Sequence, residues 1–314
     1  MLSIEEIFQS TAEDLKDALY GEFVELGYDK EKIFPKRKFL YVEGDAPYML
    51  VAHLDTVHKN IPSVICYSKS GYMMSPQGIG GDDRCGVYII LSLLQKLPFK
   101  PYVVFTMEEE IGGYGATSFA GYIEDNKPNL KYIVEFDRKG SKDCVFYNCD
   151  NKDFIKYVEK FGFKTAWGTF TDISIIAPKL GAAAVNLSCG YYNPHLLHEY
   201  VSLKDVKNII NMSYKMLTHE CGEFKYIAKA NQVANTYYRY SKPISVSFLP
   251  ANTVISYGSV WNREYEIAVD EKGNLYRYNR NYRDLYRAAT LVLKDAHLYY
   301  NAANAEILSV FGGY

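Results

Sequence analysis

The chain has 314 residues, 48% of them hydrophobic and 23% charged, with a net charge of −2. That balance belongs to a globular protein with a sizeable core and excludes a disordered tail, a collagenous chain and a disulfide-stapled miniprotein. The near-neutral charge argues against a general nucleic-acid binder, and no stretch approaches the ~20 apolar residues of a membrane span.

Ser3 and Glu6 have the spacing of a capping box, which predicts a helix running to about Leu26. This opening segment is acidic and amphipathic, with no basic start and apolar block, so no secretion signal is expected. Six cysteines (66, 85, 144, 149, 189 and 221) are scattered without paired spacing and read as reduced thiols of a cytoplasmic protein. Strands are predicted at 39–43 and 48–55, followed by a turn-rich stretch over 75–81 and a mostly apolar helix over 84–97 that Pro98 stops. The runs at 102–107 and 132–136 are short, apolar and bounded by polar turns, as in the buried strands of a parallel sheet. A helix at 153–161, a strand at 182–187 and a long helix at 203–219 complete the series. The fold class is α/β, a mostly parallel central sheet flanked by helices.

From about Gly222 the composition changes. Residues 225–314 hold 11 Lys/Arg and 7 Asp/Glu, so this part is +4 and the rest −6, and 13 of the 30 tyrosines lie in it. The runs VSF, TVISYGSVW, EYEIAVD and NLYRYN read as strands, with a turn at DEKGN and a helical stretch over 282–300. Two domains are therefore expected: a first over 1–222 and a Tyr-rich, β-containing C-terminal subdomain over 223–314.

Metal-ligand side chains gather at strand ends. His53-Leu-Asp55 closes one strand, and alternation places both side chains on one side, where the carboxylate can steady the imidazole. The turn Gly78-Ile-Gly-Gly-Asp82-Asp83-Arg-Cys-Gly86 has no third Gly in register and no Lys-Ser/Thr, so it does not cradle phosphate. It presents two adjacent carboxylates where a helix begins, as a helix cap or as ligands. Glu108-Glu109-Glu110 follows a buried strand at the edge where α/β sheets bind ligands, and cations would relieve the mutual repulsion of the three. Glu135-Phe-Asp137 ends the next strand, and His195-Leu-Leu-His198-Glu199-Tyr-Val precedes the long helix. Together these are the donors for two borderline metals with a carboxylate to spare.

At this point the chain resembles the co-catalytic di-zinc exopeptidases, which include peptidase T-like tripeptidases, single-domain zinc aminopeptidases and related deacylases. HLDTV is similar to their His-x-Asp motif, GGDDRCG to their Asp-Asp-x-x-Gly turn, MEEEIGG to their Glu-Glu-x-Gly and HLLHEYV to their closing His-x-x-x-Glu-Tyr-Val, with FD between. Thr171-Asp172 resembles a Thr-Asp pair of the family. The match runs in order over about residues 40–215. The resemblance implies two Zn²⁺, with Mn²⁺ or Co²⁺ as substitutes. Asp82 would bridge them, one metal also taking His53 and Asp137 and the other Glu110 and His195. It makes Glu109 the general base, Asp55 the group that orients His53, and a water shared by the metals the nucleophile in amide hydrolysis. The register leaves Glu108 outside and favours His195 over His198. A cis peptide between Asp82 and Asp83 is implied as well.

Departures from the family bear on substrate. Only 28 residues separate His53 from Asp82 and 57 separate Asp137 from His195, too few for an inserted domain or a dimerising lid. A lid-borne oxyanion histidine has no counterpart, and His58, Tyr191 or Tyr192 are the candidates to replace it. The expected activity is that of an aminopeptidase or small-peptide exopeptidase acting on small peptides. The alternatives are a deacylase on acylated amines, and a binding scaffold built on an inactive core. The Tyr/Arg mix of the tail either stacks on bases or sugars or, as favoured here, packs an added sheet or a homo-oligomer interface.

Overall fold

The computed structural model describes residues 2–229 and the strand segments 244–245, 254–258, 264–269, 275–279, 297–301 and 306–308. The strands of the first part are β1 (Ile33–Pro35), β2 (Phe39–Val42), β3 (Ala46–His53), β4 (Cys66–Tyr67), β5 (Tyr72–Met74), β6 (Pro101–Thr106), β7 (Tyr132–Arg138), β8 (Asp143–Val145), β9 (Lys164–Thr165), β10 (Ala184–Ser188), β11 (Tyr191–Tyr192) and β12 (Tyr200–Ser202). The helices are α1 (Ile4–Phe8), α2 (Ala12–Glu25), α3 (Gly81–Leu94), α4 (Tyr114–Tyr122), α5 (Lys152–Glu159), α6 (Ile173–Leu180) and α7 (Leu203–Thr218).

Eight strands form one sheet in the order β1-β2-β6-β3-β7-β10-β8-β9, and its four central strands, β6, β3, β7 and β10, are mutually parallel. These strands are apolar on both faces because both are covered. Along β3, Leu50 and Ala52 join the core formed with α1, α2, α3, α5 and α7, while Met49 and Val51 face α4 and α6 on the other side. The same alternation holds in β6 and β7. The result is the expected α/β layering: a mostly parallel sheet between two helical layers. A second, antiparallel sheet of four short strands, β11-β12-β5-β4, sits where the chain enters α3 and α7.

The N-terminal helix is corrected in one respect. The Ser3/Glu6 capping box forms, but α1 ends at Phe8 and a second helix starts three residues beyond Gln9. Thr11 accepts from the Asp14 N–H at 3.0 Å, a second cap that ends one helix and begins another. The first compact unit spans Met1–Ala228. Ala183 N–H donates to the Phe224 carbonyl, and the Phe224 ring lies 5.1 Å from Phe154 and 5.2 Å from Tyr157.

In the second unit, Lys229–Tyr314, β13 (Ile244–Ser245), β17 (His297–Asn301) and β18 (Glu306–Leu308) make one antiparallel sheet, and β14 (Val254–Gly258), β15 (Glu264–Val269) and β16 (Leu275–Asn279) make another. The C-terminal extension is thus rich in strands. The VSF run, the DEKGN turn and residues 282–296 of the expected helix lie outside the described residues, and 297–301 are strand rather than helix. No helix among the described residues is long and apolar enough to cross a membrane.

Candidate active site

The carboxyl ends of β3, β6 and β7 and the turns after them converge at one cleft, where a parallel sheet opens to ligands. His53, the last residue of β3, is 2% exposed. Its Nε2 lies 3.2 Å from Asp82 Oδ1 and 3.5 Å from Asp137 Oδ1, while Nδ1 faces Asp55 Oδ1 at 3.5 Å. Burial disfavours an imidazolium, yet Asp137, Asp55 and Asp82 together hold the ring's pKa well above its ordinary value. Asp55 has a further role that its position in the sequence does not reveal. Its two oxygens accept the backbone N–H groups of Glu109 and Glu110, each at 3.2 Å. One carboxylate thus ties the β3 end to the glutamate turn.

The glycine-rich turn separates the two aspartates. Asp82 and Asp83 lie off helical dihedrals, so regular α3 begins after them, and the peptide between them is cis. Asp83 is fully buried and is the cap: Oδ1 accepts from Gly86 N–H at 3.0 Å and Oδ2 from His53 N–H at 3.3 Å. Gly86 has no room for a side chain, since a Cβ would stand 2.1 Å from the Phe136 carbonyl. Asp82 turns the other way, into the cleft. Burial opposes its charge, but hydrogen bonds from His195 and His53 pull its pKa below the usual carboxylate range.

Glu199 anchors this turn. It is fully buried, and its oxygens accept from Gly80 N–H and Asp82 N–H, each at 3.0 Å, and meet His58 Nε2 at 3.1 Å. Removing such a carboxylate strands buried donors, so Glu199→Ala is expected to lower stability by about 3 kcal/mol and to shift the thermal midpoint accordingly. A midpoint within a degree of wild type would remove that role.

The three glutamates separate too. Glu108 adopts a left-handed backbone (φ 62°) and pairs outward with Lys38 at 2.7 Å. Glu109 and Glu110 face the cleft. Burial above all pushes Glu109 up to about 9; His53 opposes it, and the charges of Asp137, Asp172 and Glu110 add to it.

Asp137, at the end of β7, rests on a buried network. The Thr171 hydroxyl is 2.8 Å from both Glu135 Oε2 and Asp137 Oδ2. One hydroxyl donates once, so both contacts are satisfied when Glu135 is protonated and donates to Thr171, which donates to Asp137. Burial and the neighbouring Asp137 and Asp172 charges hold the Glu135 pKa well up. Asp172 accepts from the Thr106 hydroxyl. Glu135 is the member of this group whose part the sequence conceals: its position two residues before Asp137 on one strand is the only signal.

His195 (φ 66°) stands 3.2 Å from Asp82 Oδ2 and 3.3 Å from Glu110 Oε2 through Nε2. His198 is exposed. Of the three oxyanion candidates, His58 is engaged with Glu199, Tyr192 donates to Asp205 at 2.8 Å, and Tyr191 donates to Asp137 Oδ1 at 3.3 Å.

Two sets of three ligand atoms result, His53/Asp82/Asp137 and Asp82/Glu110/His195, with the atoms of each set within 4.8 Å of one another. Asp82 belongs to both. The chemistry of the donors fits cations: Nε2 of each of the two histidines faces two carboxylate oxygens, and Glu110 Oε1 is buried without a hydrogen-bond partner.

No protein-family model matches the chain, and no curated protein matches it by sequence. Solved structures do. An aminopeptidase PepT from Bacillus cereus superimposes with a TM-score of 0.54 at 14% identity, covering 68% of this chain and 96% of that one. A tripeptidase from Staphylococcus aureus gives 0.54 at 15%, covering 68% and 95%. The Pyrococcus horikoshii TET1 peptidase, which can assemble into a tetrahedron or a large octahedral shell, gives 0.51 at 16%, covering 70% and 100%. The likeness read from the motifs is therefore matched in the fold: the structural neighbours are aminopeptidases of the PepT and TET types.

Proposed function

We propose that the chain is a two-metal amide hydrolase, an aminopeptidase or small-peptide exopeptidase. The observation that carries this reading is the pair of three-donor sets joined through Asp82. His53, Asp82 and Asp137 would hold one divalent cation and Asp82, Glu110 and His195 the other, with zinc the natural choice for imidazole and carboxylate donors. When bound, the cations would lower the pKa of a water, polarise the scissile carbonyl and offset the negative charge that holds Glu109 up.

The rest falls to the chain. Glu109 accepts the proton of the attacking water on a carboxylate oxygen and passes it to the leaving amine nitrogen. Asp55 orients His53 and, through the two backbone N–H groups it accepts, keeps Glu109 and Glu110 aimed at the cleft. Thr171 and Tyr191 hold Asp137 from behind. The test is hydrolysis of leucyl peptides by the purified protein, abolished by a chelator and restored by zinc, manganese or cobalt. Failure to restore any hydrolysis would overturn the reading.

A pH dependence follows. In the metal-free chain, hydrogen bonds to Asp82 and Glu110 raise His195 to about 10, against opposing desolvation. At pH 7 the ring is therefore protonated and must lose its proton to ligate. Metal binding is expected to release protons, and affinity to rise with pH up to about 10. Calorimetric titration in buffers of different ionisation enthalpy measures the release, and no buffer dependence would refute it.

The division into a hydrolase unit and a β-rich second unit is part of the proposal, as is self-assembly through the second. All six cysteines are unpaired, which supports a cytosolic setting.

A further inference from the structure

Directly after Asp137 the chain places two cationic residues, Arg138 and Lys139, on the wall of the same cleft. Their backbone is fixed. The Arg138 carbonyl accepts from Cys189 N–H at 2.7 Å, the Lys139 carbonyl from the Ser188 hydroxyl at 3.0 Å, and Gly140 exchanges backbone bonds with Tyr191 and Gly190 at 2.9 and 2.8 Å. The two side chains differ in how they are held. Arg138 Nη2 donates to the Trp167 carbonyl at 3.0 Å and lies 3.6 Å from Asp143 Oδ2, a solvent-exposed partner, while Nε is buried without a partner. Lys139 is exposed and forms no ion pair among the described residues.

The charge balance of the cleft gives this pair its meaning. Asp82, Glu109, Glu110 and Asp137 are the acids on its wall. Two divalent cations would offset those four charges, leaving the exposed Lys139 without an ion pair among the described residues and Arg138 with Asp143 alone, at 3.6 Å. A neutral peptide amide has no use for them, whereas a carboxylate does.

We infer that Arg138 and Lys139 form a carboxylate-recognising element, so that the cleft selects small amides bearing an anionic group close to the scissile bond. This rests on the reading of the cleft as an amide-hydrolase site. The carboxylate has three sources: the free carboxyl end of a short peptide, an acidic side chain, or the carboxylate of an N-acyl amino acid.

The experiment compares the metal-loaded full chain with Lys139→Ala and Lys139→Glu on Leu-Gly-Gly, its carboxyl-terminal amide, Leu-Glu amide and N-acetyl-leucine. Wild type is expected to favour the free acid over the amide by about tenfold in kcat/KM, mainly through KM. The preference should shrink about fivefold in Lys139→Ala and vanish in Lys139→Glu. Leu-Glu amide and N-acetyl-leucine identify which carboxylate is taken. Equal kcat/KM for acid and amide in wild type together with rates on Leu-Glu amide and N-acetyl-leucine that Lys139→Glu leaves unchanged, or an undiminished preference in Lys139→Glu, would overturn the inference while leaving the hydrolase reading intact. Absence of all hydrolysis would count against the hydrolase reading instead. Titration of glycylglycine and its amide then decides the inference without turnover: tighter binding of the acid, lost in Lys139→Glu, supports it, and equal binding refutes it.

Discussion

Glu109→Gln is expected to keep its metals and its fold while kcat falls at least about a hundredfold, the lower end of general-base effects. Glutamine keeps the shape of the side chain and the backbone N–H that Asp55 accepts, so the turn carrying Glu110 stays in place. Glu109 belongs to neither three-donor set, which is why metal content should not change. What disappears is the carboxylate that takes the proton. Metal analysis, circular dichroism and steady-state kinetics on one preparation separate these statements, and a fully active variant would end the assignment. A second reading is available without metal. Ionised Glu109 is disfavoured by burial and by Asp137, Asp172 and Glu110. Its folded-state pKa is raised from 4.5 to about 9, so the wild type is penalised increasingly as pH rises from 4.5 towards about 9. In chelator, the glutamine variant should therefore gain in melting temperature over wild type across that window. Equal pH profiles would show that Glu109 is not held in such surroundings.

Asp82→Ala is expected to be more damaging still, because it removes a donor from both sets at once. Oδ1 lies 3.2 Å from His53 Nε2 and Oδ2 lies 3.2 Å from His195 Nε2, so each oxygen serves a different histidine. Loss of a residue that merely supports a ligand costs about 10–100-fold in metal affinity, and loss of a shared ligand should exceed that for both ions. Elemental mass spectrometry on protein purified without added metal should find about two metals per chain in wild type and fewer than one in the variant, with activity abolished. Two metals retained by Asp82→Ala would remove the bridging role. No metal in wild type, even after excess zinc, would break the central proposal.

Much of this is legible in the sequence. Short, continuous apolar runs bounded by polar turns mark the central strands to within two residues or so, because strands covered on both faces can be built from little else. The order of the motifs along the chain picked out the side chains that the fold gathers at one cleft. The register of MEEEIGG separated Glu108 from its neighbours, and the structure shows the means: a left-handed backbone at Glu108 and an outward pair with Lys38. Local pattern failed where two local signals compete. Ser3 and Thr11 are both good caps, and the longer helix was divided by the second.

Composition, periodicity and motif order by themselves determined the layering of this protein, the parallel centre of its sheet and the residue types that meet at its strand ends, since each depends on a repeat or a spacing along the chain. Only the tertiary structure decided what each of those residues does. Asp82 and Asp83 are chemically identical neighbours, and it is the Gly86 and His53 N–H groups that make one a cap and leave the other to the cleft. Glu199 holds a turn more than a hundred residues away, and Glu135 and Asp137 on one strand both meet the Thr171 hydroxyl from the start of a helix. Such roles arise from donors and charges brought close by folding, and burial sets their strength, so no window of sequence contains them.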